Sequence, residues 1–231
     1  MRALVTRAEG ENDTLRDALV RGGAEVVAVP LIAFQATGCA IPAPRPGDVV
    51  ALTSATAARA LAAVGRDDLL RVGTLAVVGP RTEAEVRALG VIPALTPRRA
   101  LADALADALG DLTGRRVLYP RAEVVPPRFE QRLRAAGAEV VPIPLYRTVC
   151  PPGAGALLDA ALPVDVITLA SGSAARHLVA LGRDLGHARI VAIGPSTARE
   201  ARALGLTVAA VADPHTAEGL AAAALSASSP G

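Results

Sequence analysis

Four short corners carry hydroxyl side chains directly after runs of apolar, β-branched residues: Thr53-Ser54, Gly79-Pro80-Arg81-Thr82, Ser171-Gly172-Ser173 and Gly194-Pro195-Ser196-Thr197. Each is followed by an Ala-, Leu- and Arg-rich stretch of helical period. The chemistry such a corner offers is anion binding. Amides in the first turn of a helix carry partial positive charge and lack intrahelical acceptors, so they suit a carboxylate or a phosphate, and hydroxyls add further donors. Glycine permits the tight turn, and proline suits the first helical position because the N–H it lacks would be unpaired there. Helix capping accounts for any one of these hydroxyls taken alone, since Ser and Thr are common N-caps; their recurrence at four matching places favours the anion reading. No corner has the length and lysine of a Walker A loop or a G-x-G-x-x-G pattern, so a nucleotide is not expected.

Other candidates are sparser. Arg7 and Arg121 follow a β-branched run at matching places and could reach one anionic ligand, with a solvated surface arginine as the competing reading. Tyr146 is the ionisable side chain best suited to donate a proton or a hydrogen bond, against an equally simple role as a structural tyrosine. Thr96-Pro97 and His215-Thr216 occupy equivalent places and are expected to open the last helix of each half, with His215 either meeting substrate or lying in an exposed loop. His177 and His187 have no Cys or second His at ligand spacing, and no serine sits in a G-x-S-x-G elbow, so neither a metal site nor a nucleophilic triad is expected. No cofactor is called for.

Composition narrows the partners. All 24 basic residues are Arg and nearly balance 22 carboxylates, and there is no Trp, so neither a polyanion-binding stripe nor a base-stacking platform is expected and nucleic acid is excluded. Only Cys39 and Cys150 are present, which suits a reducing cytoplasm rather than a disulfide framework. The segment after Met1 has no long apolar core, and the Ala-rich stretch near AEGLAAAALSA is too short to span a bilayer, so export and membrane insertion are not expected. Without a heptad seam, the expected state is a monomer.

The elements that must position these residues come in two copies. RALVTRAE at Arg2 matches RVLYPRAE at Arg116, 114 residues on, and GAEVVAVP at Gly23 matches GAEVVPIP at Gly137 at the same shift. VVALTSATAARAL at Val49 matches VITLASGSAARHL at Val166, 117 on, and VGPRTEAEVRALG at Val78 matches IGPSTAREARALG at Ile193, 115 on. Each copy alternates β-branched runs with helical-period segments, and strands such as VVALT and RIVAI are apolar almost throughout, as parallel strands covered on both faces require. Gly90 and Gly205 stand where helix C-terminal caps are expected. The predicted fold is α/β, two similar doubly wound parallel-sheet lobes from an internal duplication, with ligands beyond the carboxyl ends of the strands. PLIAFQATG and PLYRTVCPP occupy matching places before Pro- or Gly-rich breaks and could pair as a two-strand hinge.

Taken together, TRAE, TSATAARAL, VGPRTEAEVRALG, LYPRAE, GAEVVPIPLYRT, LASGSAARHL, IGPSTAREARALG and HTAEGL give nearly the whole chain a sequence that resembles the uroporphyrinogen-III synthase family. Two positions depart from the pattern: Arg81 stands where the second copy has Ser196, and Tyr119 stands where an aliphatic residue or Phe is expected. The resemblance implies one lobe from residues 1–34 and 149–231, a second from 38–145, and hinge strands near 32–37 and 145–149. It implies a cofactor-independent lyase of haem biosynthesis. Such enzymes take the linear tetrapyrrole hydroxymethylbilane, lose its terminal hydroxyl as water, invert the last pyrrole through a spiro intermediate and close the ring. On that expectation Tyr146 assists departure of the hydroxyl, while Arg7, Ser54, Thr82, Arg121, Ser171, Gly172, Ser173, Ser196 and Thr197 surround the substrate's carboxylates. A non-enzymatic two-lobe protein that binds an anionic small molecule is the alternative.

Overall fold

The computed structural model describes residues 1–11 and 13–228, so the last three residues of the expected first lobe lie outside it. The chain divides into two compact units, one of residues 1–34 and 148–231 and the other of residues 35–147. Each is built around its own five-stranded sheet.

The first unit contains strands β1 (Arg2–Val5), β2 (Glu25–Ala28), β8 (Val166–Leu169), β9 (Arg189–Ala192) and β10 (Val208–Val211), in the order β10-β9-β8-β1-β2, with the neighbouring pairs parallel. Successive side chains of a strand point to opposite faces, and both faces here are apolar. Leu4, Ile167, Leu169 and Ile190 pack against helices α6 (Ala154–Ala161), α7 (Gly172–Ala180) and α8 (Pro195–Ala203). Ala3, Val5, Val166 and Val191 pack against α1 (Asp13–Arg21) and α9 (Ala217–Ser228).

The second unit repeats the plan. Its sheet runs β3-β7-β6-β4-β5, from β3 (Ala33–Ala36), β7 (Glu139–Val149), β6 (Arg116–Ala122), β4 (Val49–Leu52) and β5 (Thr74–Val77). Val50 and Leu52 face helices α2 (Ala55–Ala63) and α3 (Pro80–Ala88). Val49, Ala51 and Val117 face α4 (Ala102–Leu109) and α5 (Arg128–Ala135). At the edge, β3 is tied to β7 by Arg147 Nε donating to Gln35 Oε1 at 3.2 Å, and Thr37 N donates to Leu145 O at 3.0 Å.

Each unit takes strands from both copies of the repeat. The first joins β1 and β2 of copy one to β8, β9 and β10 of copy two; the second joins β6 and β7 of copy two to β4 and β5 of copy one. The counterpart of β10 in copy one has shrunk to a single bridge, Ala76 with Leu95, which matches the Val191–Ala210 pairing 115 residues on. That extended stretch displaces the following helix. Thr96-Pro97 does not open it: α4 begins at Ala102 after Leu101, because Val77 N and Ala94 N are still engaged in strand-like bonds with Leu95 O and Leu75 O. Thr216, by contrast, does open α9, accepting from Gly219 N at 3.1 Å.

The helices end where glycine allows. Gly90 and Gly205 adopt φ of 75° and 86° directly after the caps Leu89 and Leu204. Val91 N then reaches Val86 O, and Leu206 N reaches Ala201 O, both at 3.0 Å, which closes the last turn.

The inter-copy pairing is pinned at its amino end. Asp48 and Asp165 are equivalent residues, just before β4 and β8. Asp165 Oδ2 accepts from Arg2 N at 2.6 Å, and Asp48 Oδ2 accepts from Arg116 Nη1 at 3.0 Å and Arg45 N at 2.8 Å. The Arg116–Asp48 pair is buried, with side-chain exposures of 12% and 3%. Removing one partner of such a pair strands the other in low dielectric. Asp48→Ala is therefore expected to lower the unfolding free energy by about 3 kcal/mol, measured by urea denaturation, whereas an effect below about 0.5 kcal/mol would mean the pair does not set the register.

Candidate active site

In a doubly wound sheet the strand order reverses at a switch point, and the crevice beyond the strand ends there is where ligands bind. In the first unit that point lies between β1 and β8, and in the second between β6 and β4. The ten residues singled out in the sequence fall at the carboxyl ends of these strands and their neighbours. Arg7, Ser171, Gly172, Ser173, Ser196 and Thr197 belong to the first unit; Ser54, Thr82, Arg121 and Tyr146 belong to the second.

In the second unit Ser54 is the N-cap of α2, in extended conformation, and its Oγ accepts from Thr56 N at 3.1 Å. The Tyr146 hydroxyl donates to the same Oγ at 3.3 Å, so the structure brings these two residues together. That distance is long for an O–H···O bond, which makes it one a ligand oxygen can displace with small loss. The Tyr146 ring packs among Val50, Leu52 and Ile143 on the α2/α3 face. Burial pushes the Tyr146 phenol above its ordinary value of 10.0, opposed by the Ser54 hydrogen bond.

Thr53, one residue earlier, meets the other tyrosine: Thr53 Oγ1 and Tyr119 OH are 3.3 Å apart. Tyr119 lies on the opposite, α4/α5 face, edge-on to Phe129 with ring centroids 5.0 Å apart. With Thr53, Leu101, Pro126 and Phe129 it lines a mostly apolar cavity of about 330 Å³. Its phenol too is pushed up by burial. Adjacent hydroxyls of one turn thus hold one phenol on each face of the sheet.

Arg121 Nη1 donates to Ala122 O at 2.8 Å and Glu123 O at 2.7 Å, which fixes the guanidinium beside the end of β6. Its Nε is buried without a hydrogen-bond partner, an uncommon condition for a charged donor. Arg7, at the equivalent position, is half-buried and paired with Glu11 at 3.3 Å, so an anionic ligand there competes with an internal carboxylate.

The Gly-Pro corners are alike. Gly79 and Gly194 are extended N-caps that supply no side-chain acceptor, and Pro80 and Pro195 occupy the first helical position. Thr82 and Thr197 are 3% and 5% exposed as whole residues, and the exposed residues of these first turns include Arg81 and Ser196. His215 packs against the Gly194 corner, where a Cβ would sit 3.5 Å from its ring, and its Nδ1 is 2.7 Å from Ala212 O. Ala100 covers Gly79 in the same way, so tightly that a Cβ there would lie 2.6 Å from the Ala100 Cβ.

Ser171 is the N-cap of α7 and accepts from Ala174 N at 3.2 Å. Ser173 Oγ accepts from Arg176 Nη2 at 2.8 Å. At Gly172 the space a Cβ would take is filled by the Glu200 carboxylate, the movable end of a side chain that reaches across from α8. His177 is engaged elsewhere, its Nδ1 lying 2.5 Å from Leu31 O. Among the described residues no group of three or more His, Cys, Asp or Glu is placed to hold a metal ion.

A sequence profile described as uroporphyrinogen-III synthase HemD matches residues 2–222 of the 231-residue chain. The chain belongs to the uroporphyrinogen-III synthase family. Two solved structures share its fold. A uroporphyrinogen-III synthetase from Helicobacter pylori 26695 is 17% identical over 98% of this chain and 99% of that one, with a TM-score of 0.73. A mutant uroporphyrinogen III synthase from the extremely thermophilic bacterium Thermus thermophilus is 17% identical over 95% of each chain, with a TM-score of 0.59. No curated protein sequence gives a significant match. The family assignment makes the chain a cyclising lyase of tetrapyrrole biosynthesis that acts on a small molecule.

The raised phenols give a pH signature. A group with a raised folded value keeps its proton longer in the folded than in the unfolded chain, so stability falls as pH climbs from the unfolded phenol value toward the folded one. Activity that depends on a protonated Tyr146 is expected to stay level from neutrality to the ordinary phenol value of 10.0. A rate–pH profile with an alkaline limb that falls below that value and disappears in Tyr146→Phe would contradict the burial seen here.

Proposed function

We propose that this synthase converts hydroxymethylbilane to uroporphyrinogen III by holding the acetate and propionate arms mainly on main-chain amides at the helix starts, while the Tyr146 phenol hydrogen-bonds the departing hydroxyl. The observation that carries the reading is the repetition of the corners. Four helix N-termini open at the carboxyl ends of neighbouring strands, two per unit, and two of them have a glycine N-cap that offers no acceptor of its own.

The chemistry asks for little else. Loss of the hydroxyl leaves an electrophilic azafulvene that closes without inversion when unguided, so the protein's main task is orientation, which can supply about 7–11 kcal/mol of a barrier. Tyr146 stays neutral because burial disfavours the phenolate, so it acts as a hydrogen-bond donor to the leaving oxygen. The hydroxyl leaves as water by taking a proton from solvent, and an equal proton returns to solvent when the closed ring restores its last pyrrole. Ser54 shares its oxygen with Tyr146 and the α2 cap, and so orients the phenol. Arg121, whose guanidinium is held at the end of β6 by two carbonyls, is assigned a charged contact to a substrate carboxylate in the second unit. Arg7, Ser171, Gly172, Ser173, Ser196 and Thr197 are assigned to the carboxylates in the first unit, and Ser54 and Thr82 in the second.

We further place the protein in the cytoplasm as a monomer with no nucleic-acid ligand. Both cysteines are free, and no helix of the described residues is long and apolar enough to cross a membrane.

Separation of products made from fresh hydroxymethylbilane tests the reaction: the type III isomer is expected, and the type I isomer alone would leave only a binder. Tyr146→Phe is expected to lower kcat about tenfold, the worth of a lost hydrogen bond of about 1.5 kcal/mol, with KM nearly unchanged; undiminished turnover would remove Tyr146 from the chemistry. The two ways of binding a carboxylate separate in a second pair of variants. Ser196→Pro deletes one amide donor where helices tolerate proline and is expected to raise KM about tenfold through loss of a charge-assisted bond. Thr197→Val, which deletes only a hydroxyl, is expected to change KM less than about threefold. The reverse order would assign binding to side chains.

A further inference from the structure

One arrangement of side chains is built twice, and the helix cradles do not account for it. In the second unit Arg59 of α2 donates through Nη1 to Glu85 Oε2 of α3 at 2.8 Å and through Nη2 to Thr56 Oγ1 at 3.3 Å. In the first unit Arg176 of α7 donates through Nη1 to Glu200 Oε1 of α8 and through Nη2 to Ser173 Oγ at 2.8 Å. Thr56 and Ser173 are equivalent, as are Arg59 and Arg176, at a shift of 117; Glu85 and Glu200 are equivalent at a shift of 115. Each bridge runs from a hydroxyl in the first turn of one helix, through an arginine one turn further on, to a glutamate on the neighbouring Gly-Pro helix.

Another set of ion pairs between helices, by contrast, has no counterpart in the other copy. Arg128 and Arg132 of α5 pair with Asp103 of α4, yet their equivalents 114 residues earlier are Thr14 and Ala18, which cannot carry a pair. Stability is also a weak reason for keeping the repeated pairs. Their side chains are between 24% and 52% exposed, and pairs of that kind contribute about 0.2–1 kcal/mol. What they hold in common is position. Both join the two helices whose amino ends form the anion-binding corners of a unit, and in the first unit Gly172 leaves room for the Glu200 carboxylate against the opening turn of α7.

We propose that Glu85 and Glu200 are positioning residues for the synthase reaction: acting through Arg59 and Arg176, each fixes the spacing between two neighbouring helix starts so that both can hold carboxylates of one substrate. The inference rests on the synthase reading above. The arms of a tetrapyrrole sit at set intervals along its pyrroles, so two cradles serve it together only at matching separation. A shift of about 1 Å in a positioning element costs up to about 100-fold in rate.

The test is a set of variants assayed for KM, kcat, isomer ratio, thermal midpoint and amide hydrogen exchange. Glu200→Gln and Glu85→Gln are each expected to raise KM for hydroxymethylbilane about tenfold and to raise the type I share. The midpoint should fall by less than about 4 °C. The exchanged pair Arg176→Glu with Glu200→Arg is expected to recover most of the KM. Single variants with wild-type KM and isomer ratio, or a loss that tracks the fall in midpoint, would overturn the proposal. Should Glu200→Gln not fold, Glu200→Asp keeps the charge on a shorter arm and is expected to show the same rise in KM; wild-type KM there would equally overturn it. Wild-type protein that makes no type III isomer would sink the synthase reading alone. The positional claim is then judged by exchange at Ala198, whose amide closes the first turn of α8 on Gly194 O at 3.0 Å, which Glu200→Gln must accelerate and which, if unchanged, ends it.

Discussion

Parallel pairing between strands from different copies, β1 with β8 and β6 with β4, is the constraint on which the rest of each unit depends. Parallel strands carry their chain direction to one edge, so every helix that follows them starts at that edge, and amide donors gather without any side chain being asked to provide them. The register of that pairing is held at the opposite end by equivalent aspartates, Asp165 against the Arg2 backbone and Asp48 against the Arg116 guanidinium. Because each sheet mixes the copies, neither half of the sequence builds a complete unit alone. The duplication is therefore visible in the sequence as a tandem repeat and in the structure as two hybrids.

A site made of helix starts asks little of its side chains. In the proposed reading carboxylate arms are held by partial charges that the fold already provides, and these are insensitive to which residue stands at the first or second helical position; Arg81 and Ser196 show two different side chains at one repeated place. Charged side chains enter at few places and are restrained there. Arg121 is held by two carbonyls and Arg7 by Glu11, so each has already lost much of the rotamer freedom that the proposed contact to a carboxylate would otherwise cost. The two phenols are buried on opposite faces and anchored by the adjacent hydroxyls of Thr53 and Ser54, and burial disfavours the charged form of both.

The sequence displays what is local or periodic. The Gly-Pro corners, the glycines after α3 and α8, and the apolar strands are set by residues within a few positions of each other, and all are found where the pattern puts them. What it does not display depends on distant partners. The Arg59–Glu85 and Arg176–Glu200 bridges span 26 and 24 positions, and no composition or period marks them, although the repeat carries the signal: the same three residue types recur at matching places. Tyr119 stands out in the sequence only as a departure, and its hydroxyl finds Thr53 from 66 positions away. Gly172 reads as a ligand contact from its own corner alone, and only the fold brings the Glu200 carboxylate of another helix into the space beside it. The start of α4 falls later than the pattern predicts because an isolated bridge at Leu95 replaces a full strand, and a lone bridge leaves no alternation to read.

The central claim is that main-chain amides at the starts of α2, α3, α7 and α8 hold the substrate's carboxylates, and amide-resolved NMR of the protein titrated with reduced, unoxidised uroporphyrinogen III tests it most directly. The account predicts saturable shifts concentrated at Thr56, Thr82, Ser173, Ser196 and Thr197. Shifts confined to residues of α1, α5 and α9, with those five amides unmoved at saturation, would contradict it.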